Sequence, residues 1–223
     1  MKLLSTFWAA VALAQSASAH YIFYQPTTGG QNSSAVIRQP ANNGPVEGVN
    51  GNNNLRCNAN YAPATATMNV AAGSSFTFKS DNTLAHPGPG AIYLGQVPSG
   101  QTAATWDGSG ANWCKIAEYG ITTTPTTFRF VLQDAVEMTA SIPASVRPGQ
   151  YLLRAEHIGL HVSGAPQFYI SCAQINITGG GSGSPTKVSI PGYVTATDPA
   201  LTVNIHWPVP TAYKVPGPAV WRG

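Results

Sequence analysis

The residues with most capacity for chemistry are five histidines, His20, His86, His157, His161 and His206. His20 follows Ala17-Ser18-Ala19, a small-x-small triplet that suits signal peptidase. Cleavage after Ala19 frees the α-amine of His20, whose ordinary pKa near ~8 lets a metal displace its proton at neutral pH. The amine and a ring nitrogen of the same residue then close a chelate, and one more imidazole completes a planar three-nitrogen set. Planar nitrogen ligation favours copper(II), which also tops the divalent affinity order. The plain alternative is a histidine at an ordinary, disordered terminus.

A second ligand needs a fixed position. His86 lies in Leu84-Ala85-His86-Pro87-Gly88-Pro89-Gly90, where two prolines and two glycines restrict the turn to a narrow set of shapes. The segment RAEHIGLHVSGAPQFY, 154–169, carries more information. On a strand alternate residues share a face. Ala155, His157, Gly159 and His161 then lie on one side, and Arg154, Glu156, Ile158 and Leu160 on the other. Beyond the turn at Gly164 to Pro166, Gln167 and Tyr169 share a face while Phe168, Ile170 and Cys172 point into a core. A hairpin so formed gathers His161, Gln167 and Tyr169 into one polar cluster. A core tyrosine and a solvent-facing edge glutamine are the plain readings of the last two.

The acids argue against hydrolysis. Glycoside hydrolysis uses two carboxyl groups flanking the bond. The chain has eight acidic residues, none between 161 and 169, and strand alternation turns the nearest, Glu156, away from His157 and His161. No G-x-S-x-G elbow is present for a serine hydrolase.

The elements that must hold these residues read as strands. Short runs of Val, Ile, Thr, Phe and Tyr recur between Gly, Pro and Asn clusters, at 21–25, 65–70, 75–79, 91–96, 113–118, 128–132, 138–141, 149–160, 167–177 and 202–205. Many short strands with such turns predict an all-β fold, an immunoglobulin- or fibronectin-III-like antiparallel sandwich with long loops. Residues 1–19 read as a signal peptide and 20–223 as a single domain, secreted and extracellular. No apolar run is long enough to span a bilayer. The Asn- and Gly-rich stretch 40–61 is a long loop, 179–184 a flexible linker, and the Pro-rich tail from 208 an extended wrap over the sheet. The formal net charge of +3 falls to +2 without Lys2, too weak for nucleic acid or anionic membrane. A neutral partner and a monomer are expected. Three cysteines, Cys57, Cys114 and Cys172, predict one bridge and one spare thiol, with the pairing left open. Asn32 and Asn176 begin N-glycosylation sequons.

The terminal His20, HPGP at 86–89, RAEHIGLH at 154–161, QFYISCAQINITGG at 167–180 and NIHWPVPTAYKVPGP at 204–218 together resemble the fungal lytic polysaccharide monooxygenases of auxiliary activity family 9. That resemblance implies a copper ion held by His20 and His86, with Tyr169 as the axial ligand. It implies that His161 and Gln167 hydrogen-bond oxygen species near the metal, that Cys57 pairs with Cys172, and that Tyr213 touches substrate. Cys114 stands where relatives carry a large apolar residue, and is read as a small buried hydrophobe. Tyr24, Tyr61 and Trp106 are further aromatic candidates, with packing favoured for Trp106. The implied activity is oxidative cleavage of cellulose or a related β-glucan at C1 or C4. O2 or H2O2 is the co-substrate, and a small reductant or a flavocytochrome the electron donor. A non-catalytic secreted protein that binds copper or carbohydrate is the alternative.

Overall fold

The computed structural model of the protein describes residues 19–124 and 127–223, so all but Ala19 of the expected leader lies outside the described residues. The strands among the described residues are β1 (Phe23–Thr28), β2 (Gln31–Asn32), β3 (Ile37–Arg38), β4 (Val46–Glu47), β5 (Met68–Ala71), β6 (Ser75–Ser80), β7 (Gly90–Gln96), β8 (Ala111–Tyr119), β9 (Ile121–Thr124), β10 (Thr127–Phe130), β11 (Glu137–Ser141), β12 (Gly149–Gly159), β13 (Gln167–Thr178) and β14 (Val188–Ser189). One helical turn, α1 (Pro199–Thr202), follows. A small sheet runs β11-β6-β1-β2 and a large one β14-β8-β7-β12-β13-β3, with β4 and β5 also on β13. β9 and β10 form a separate hairpin. The pairs named are antiparallel except β5 on β13. The expected sandwich is therefore the fold.

Alternation explains the small sheet. In β6, Phe76 and Phe78 face inward between exposed or half-buried neighbours, edge to face with each other, and Phe78 meets Phe23 of β1. Leu94, Leu153, Ala155, Tyr169 and Ala173 close this core from the large sheet. Each large side chain so buried contributes about 1.5–3 kcal/mol. β12 and β13 are different, because nearly every residue of both is buried. Their outer face carries a second core, in which Leu152, Ile158, Phe168 and Ile170 pack against Leu55, Trp106 and Trp113.

Loops cover that second core. The stretch 40–61, expected as a long loop, folds over the large sheet and is pinned by the Cys57–Cys172 disulfide, across 115 residues of sequence. A loop of that size corresponds to about 5 kcal/mol in the chain-entropy account. Cys114 stays a buried free thiol, pushed up to about 12 by burial, as a small hydrophobe should be. Trp106 is buried and stacks on Trp113, so it packs rather than binds. Arg38 holds a second covering loop, between β7 and β8, through the carbonyls of Ala103, at 2.8 Å, and Trp106, at 2.5 Å. Beneath the loops Arg154 and Glu156 form a fully buried ion pair at 2.5 Å.

Two expectations are corrected. The stretch 179–184 is no flexible linker. The Gly181 and Gly183 N–H groups donate to Val146 and Ser145 carbonyls at 2.9 and 2.8 Å. A Cβ on Gly180 would stand 2.1 Å from the Val146 oxygen, so these glycines serve close backbone approach. Residues 202–205 form no strand. Asp198 accepts from the Ala200 N–H at 2.9 Å and Pro199 starts a helical turn, so the capping signal overrides the β-branched composition. The extended tail does wrap the sheet, with buried Lys115 donating to the Pro216 carbonyl at 2.8 Å. No helix of the described residues is long and apolar enough to cross a membrane.

Candidate metal centre

β12 and β13 form the floor of the site. Their register sets His157 opposite Tyr169 and Gly159 opposite Gln167. The His86 turn lies against the end of β12 and is laced to it. Ile158 N–H donates to the Pro89 carbonyl and Leu160 N–H to the Pro87 carbonyl, both at 2.9 Å, and His157 Nε2 bonds the Gly88 carbonyl at 3.2 Å. Three consecutive carbonyls of the turn are thus engaged, which adds to the stiffness that its prolines supply. A Cβ on Gly88 would sit 1.7 Å from the Ile158 carbonyl oxygen, with backbone on both sides. Gly88→Ala is therefore expected to destabilise the fold by about 1–3 kcal/mol or more, as overpacking does. Thermal unfolding checks this, and an unchanged midpoint would contradict it.

β1 brings in the other arm. Tyr21 is buried and stacks on Tyr169 with centroids 4.4 Å apart and planes at 29°, which sets His20 at the mouth of the site. The His20 and His86 rings stand 5.9 Å apart, and Tyr169 lies 5.9 Å from the first and 5.6 Å from the second. His161 stacks on His86 at 3.9 Å and 13°. An ion sits near the plane of a ligating imidazole at about 2.0–2.1 Å from its nitrogen. Two nearly parallel rings 3.9 Å apart cannot both offer an ion that geometry. His161 is thereby a neighbour of the site and not a third imidazole ligand. In keeping with this, no group of three or more His, Cys, Asp or Glu among the described residues could hold a metal.

The donor set fits a metal. Among the described residues, His86 Nε2 and His161 Nδ1 are buried without hydrogen-bond partners. A buried polar atom left unpaired costs about 1–3 kcal/mol, so two such nitrogens in one cluster mark a place built for something else to bind. His86 is pushed down to about 4, first by burial and then by His161 and His20, so its imidazole is neutral at neutral pH, as a ligand must be. His161 is lowered for the same leading reason. Burial and then the Glu47 charge hold Tyr169 well above the usual phenol range, so it stays protonated.

Gln167 and Tyr169 meet as the hairpin predicts: the Tyr169 hydroxyl donates to Gln167 Oε1 at 3.2 Å. His161 stands against the His86 ring, which itself lies 5.6 Å from Tyr169. Sequence reasoning missed Glu47. β4 pairs with the start of β13, and Gln167 Nε2 donates to Glu47 Oε1 at 3.2 Å. This carboxylate stands alone there in its bonding and makes no hydrolase pair. Glu156 faces away, as alternation requires, bound to Arg154 and to the Tyr193 hydroxyl. His206 Nε2 donates to the His161 carbonyl at 3.0 Å and carries Trp207, 80% exposed, to the same end of the molecule. Tyr213 is half-buried, edge-on to Phe130 at 5.1 Å, and its hydroxyl donates to the Ala200 carbonyl at 3.0 Å. Tyr61 lies under the Arg38 guanidinium. Asn32 is exposed, whereas the Asn176 amide is tied to Asn69 at 2.9 Å.

The architecture and the site define a β-sandwich that presents a pair of histidines and a buried tyrosine at one edge. Residues 20–213 match the model of Auxiliary Activity family 9 (formerly GH61). The chain is 46% identical to AA9 family lytic polysaccharide monooxygenase H of Malbranchea cinnamomea, with 96% of each chain covered, and 43% identical to monooxygenase F of Neurospora crassa, with 95% and 96% covered. A solved cellulose-active polysaccharide monooxygenase from M. thermophila superposes with a TM-score of 0.81 at 30% identity, covering 92% of this chain and 100% of that one. The chain belongs to Auxiliary Activity family 9, the lytic polysaccharide monooxygenases.

Proposed function

We propose that the protein is a secreted, copper-dependent monooxygenase that cleaves cellulose or a related β-1,4-glucan by oxidation at C1 or C4. The observation that carries this reading is the facing pair His20 and His86, with a buried, unpartnered Nε2 on His86, above the Tyr169 phenol. His20, by amine and ring, and His86 would hold the ion. Three nitrogen donors of this kind suit copper(II). Copper supplies one-electron redox chemistry and activation of O2 or H2O2, with electrons from a small reductant or a flavocytochrome.

The chain's own residues do the rest. Tyr169 closes the inner side of the set as a neutral phenol and, with Glu47, orients the Gln167 amide by bonding both its ends. His161, with an unpaired Nδ1, offers a hydrogen-bonding group beside His86. Tyr169, His161 and Gln167 thus act as positioning groups around the reacting oxygen. A neutral sugar ring stacks on flat apolar surface, and Trp207 with Val162 and Val209 supplies exposed apolar area on the segments next to the site. Tyr213 adds the half-exposed edge that its packing leaves. Removal of a stacking ring is worth about 0.5–1.5 kcal/mol, or about a 2- to 10-fold change in affinity. Trp207→Ala is expected to weaken cellulose binding by that factor, and Tyr213→Ala by less. A pull-down isotherm on cellulose checks both, and unchanged binding in both variants would remove these aromatics from the substrate face. The reading as a whole is tested by mass analysis of products from copper-loaded protein, cellulose and ascorbate. Oxidised oligosaccharides are expected; their absence would leave a binding protein.

A further inference from the structure

His157 is a buried histidine that the chemistry above does not use. It lies near the end of β12, two residues before Gly159, 0% exposed, facing the core between the sheets. Its Nε2 is 3.2 Å from the Gly88 carbonyl, which can only accept, so that nitrogen carries the proton. A doubly protonated ring with no counter-ion is too costly in such a core, so Nδ1 is bare and the Tyr21 hydroxyl donates to it. Both polar ends of the ring are satisfied, as a buried imidazole requires. An aliphatic side chain would fill the same volume without needing either bond.

Each partner lies within two residues of a proposed ligand. Tyr21 follows His20 in the chain. Gly88 lies two residues past His86 in the same laced turn. The Tyr21 ring also stacks on Tyr169 at 4.4 Å. The segment at Tyr21 and the His86 turn are far apart in sequence, and the His157 side chain bonds to both. We infer that His157 is a positioning residue for the metal centre: from beneath, it ties the residue after His20 to the turn after His86 and so sets the separation of the two ligands. This rests on the reading in which His20 and His86 hold the ion.

A residue that only stabilises the fold would leave the metal site unchanged once folded. A positioning residue would not. The test uses the full chain starting at His20, with His157→Leu, Tyr21→Phe and the double variant, and inorganic copper(II) as the probe. Calorimetry gives affinity, and electron paramagnetic resonance of the copper(II) form reports ligand geometry. His157→Leu is expected to bind copper about 10- to 100-fold more weakly, the range for loss of a supporting partner of a ligand. Its spectrum should differ from that of the parent. Tyr21→Phe keeps the ring stack and removes one bond, so it should shift both readouts in the same direction by less. The double variant should be no worse than His157→Leu, because the two groups act as one chain. Parent-like affinity and spectrum in both single variants would overturn the inference, whatever happens to thermal stability. If His157→Leu does not fold, Tyr21→Phe decides alone by the same criterion. A parent protein that binds no copper would overturn the metal reading, and this inference with it.

Discussion

His86→Ala is expected to abolish oxidative cleavage while leaving the fold intact. The two halves of that expectation have separate grounds. His86 is half-buried and its turn is held by backbone bonds from Ile158 and Leu160, which the substitution does not touch. Stability of the metal-free protein should therefore change by about 1 kcal/mol or less, in the range of ordinary partly exposed sites. The stack on His161 is lost, and with it a small term. The proposed metal set, by contrast, would lose one of its two imidazole donors. Outer partners of metal ligands already account for about 10- to 100-fold in affinity, so a direct ligand should exceed that. Product analysis with ascorbate and cellulose should show no oxidised oligosaccharides from the variant. Parent-like product release would remove His86 from the centre.

Glu156→Ala should produce the largest loss of stability among single changes outside the apolar core. The carboxylate is 1% exposed and bonded to the fully buried Arg154 and to Tyr193. Arg154 also donates from Nε to the Leu55 and Arg56 carbonyls at 2.9 and 3.0 Å, next to the disulfide. Removing Glu156 leaves a guanidinium buried without its counter-charge, and breaking such a pair costs about 3–5 kcal/mol. Against a total of about 5–15 kcal/mol this is a large fraction. At about 2–4 °C per kcal/mol for a chain of this size the midpoint should fall by roughly 6–20 °C. The paired replacement Arg154→Met with Glu156→Leu should recover much of the loss, since an apolar pair of similar volume is often no worse than the ions. A single variant that melts with the parent would show that the pair is not buried as described. The same geometry keeps this acid out of the site, so the stability loss carries no direct chemical effect on bond cleavage.

The sandwich could be read from strand spacing because each strand is short, bounded by turn residues and, in the small sheet, alternating. The hairpin carrying Gln167 and Tyr169 was legible for the same reason: period-two alternation assigns faces without any knowledge of partners. The second core was not, because β12 and β13 are buried on both faces and a strand's own pattern does not say what covers its second face. Glu47 was hidden in an Asn- and Gly-rich stretch whose two-residue strand has no period of its own. It acquires meaning only through its register with Gln167. His161 illustrates a different limit. Alternation placed it on the right face, but its stack on His86 depends on how the turn after β12 closes, which local pattern does not encode. Residues 202–205 looked like a strand by composition, and the cap at Asp198 decided otherwise.

In the proposed centre the backbone amine of His20 would complete a set of nitrogens begun by two imidazoles. Copper(II) titration calorimetry on two matched preparations, one beginning at His20 and one retaining Ala19, tests it directly. The first should bind one ion tightly, and the second should bind it more weakly by more than the about 100-fold that loss of a supporting partner costs. Equal affinity in the two preparations would contradict the account.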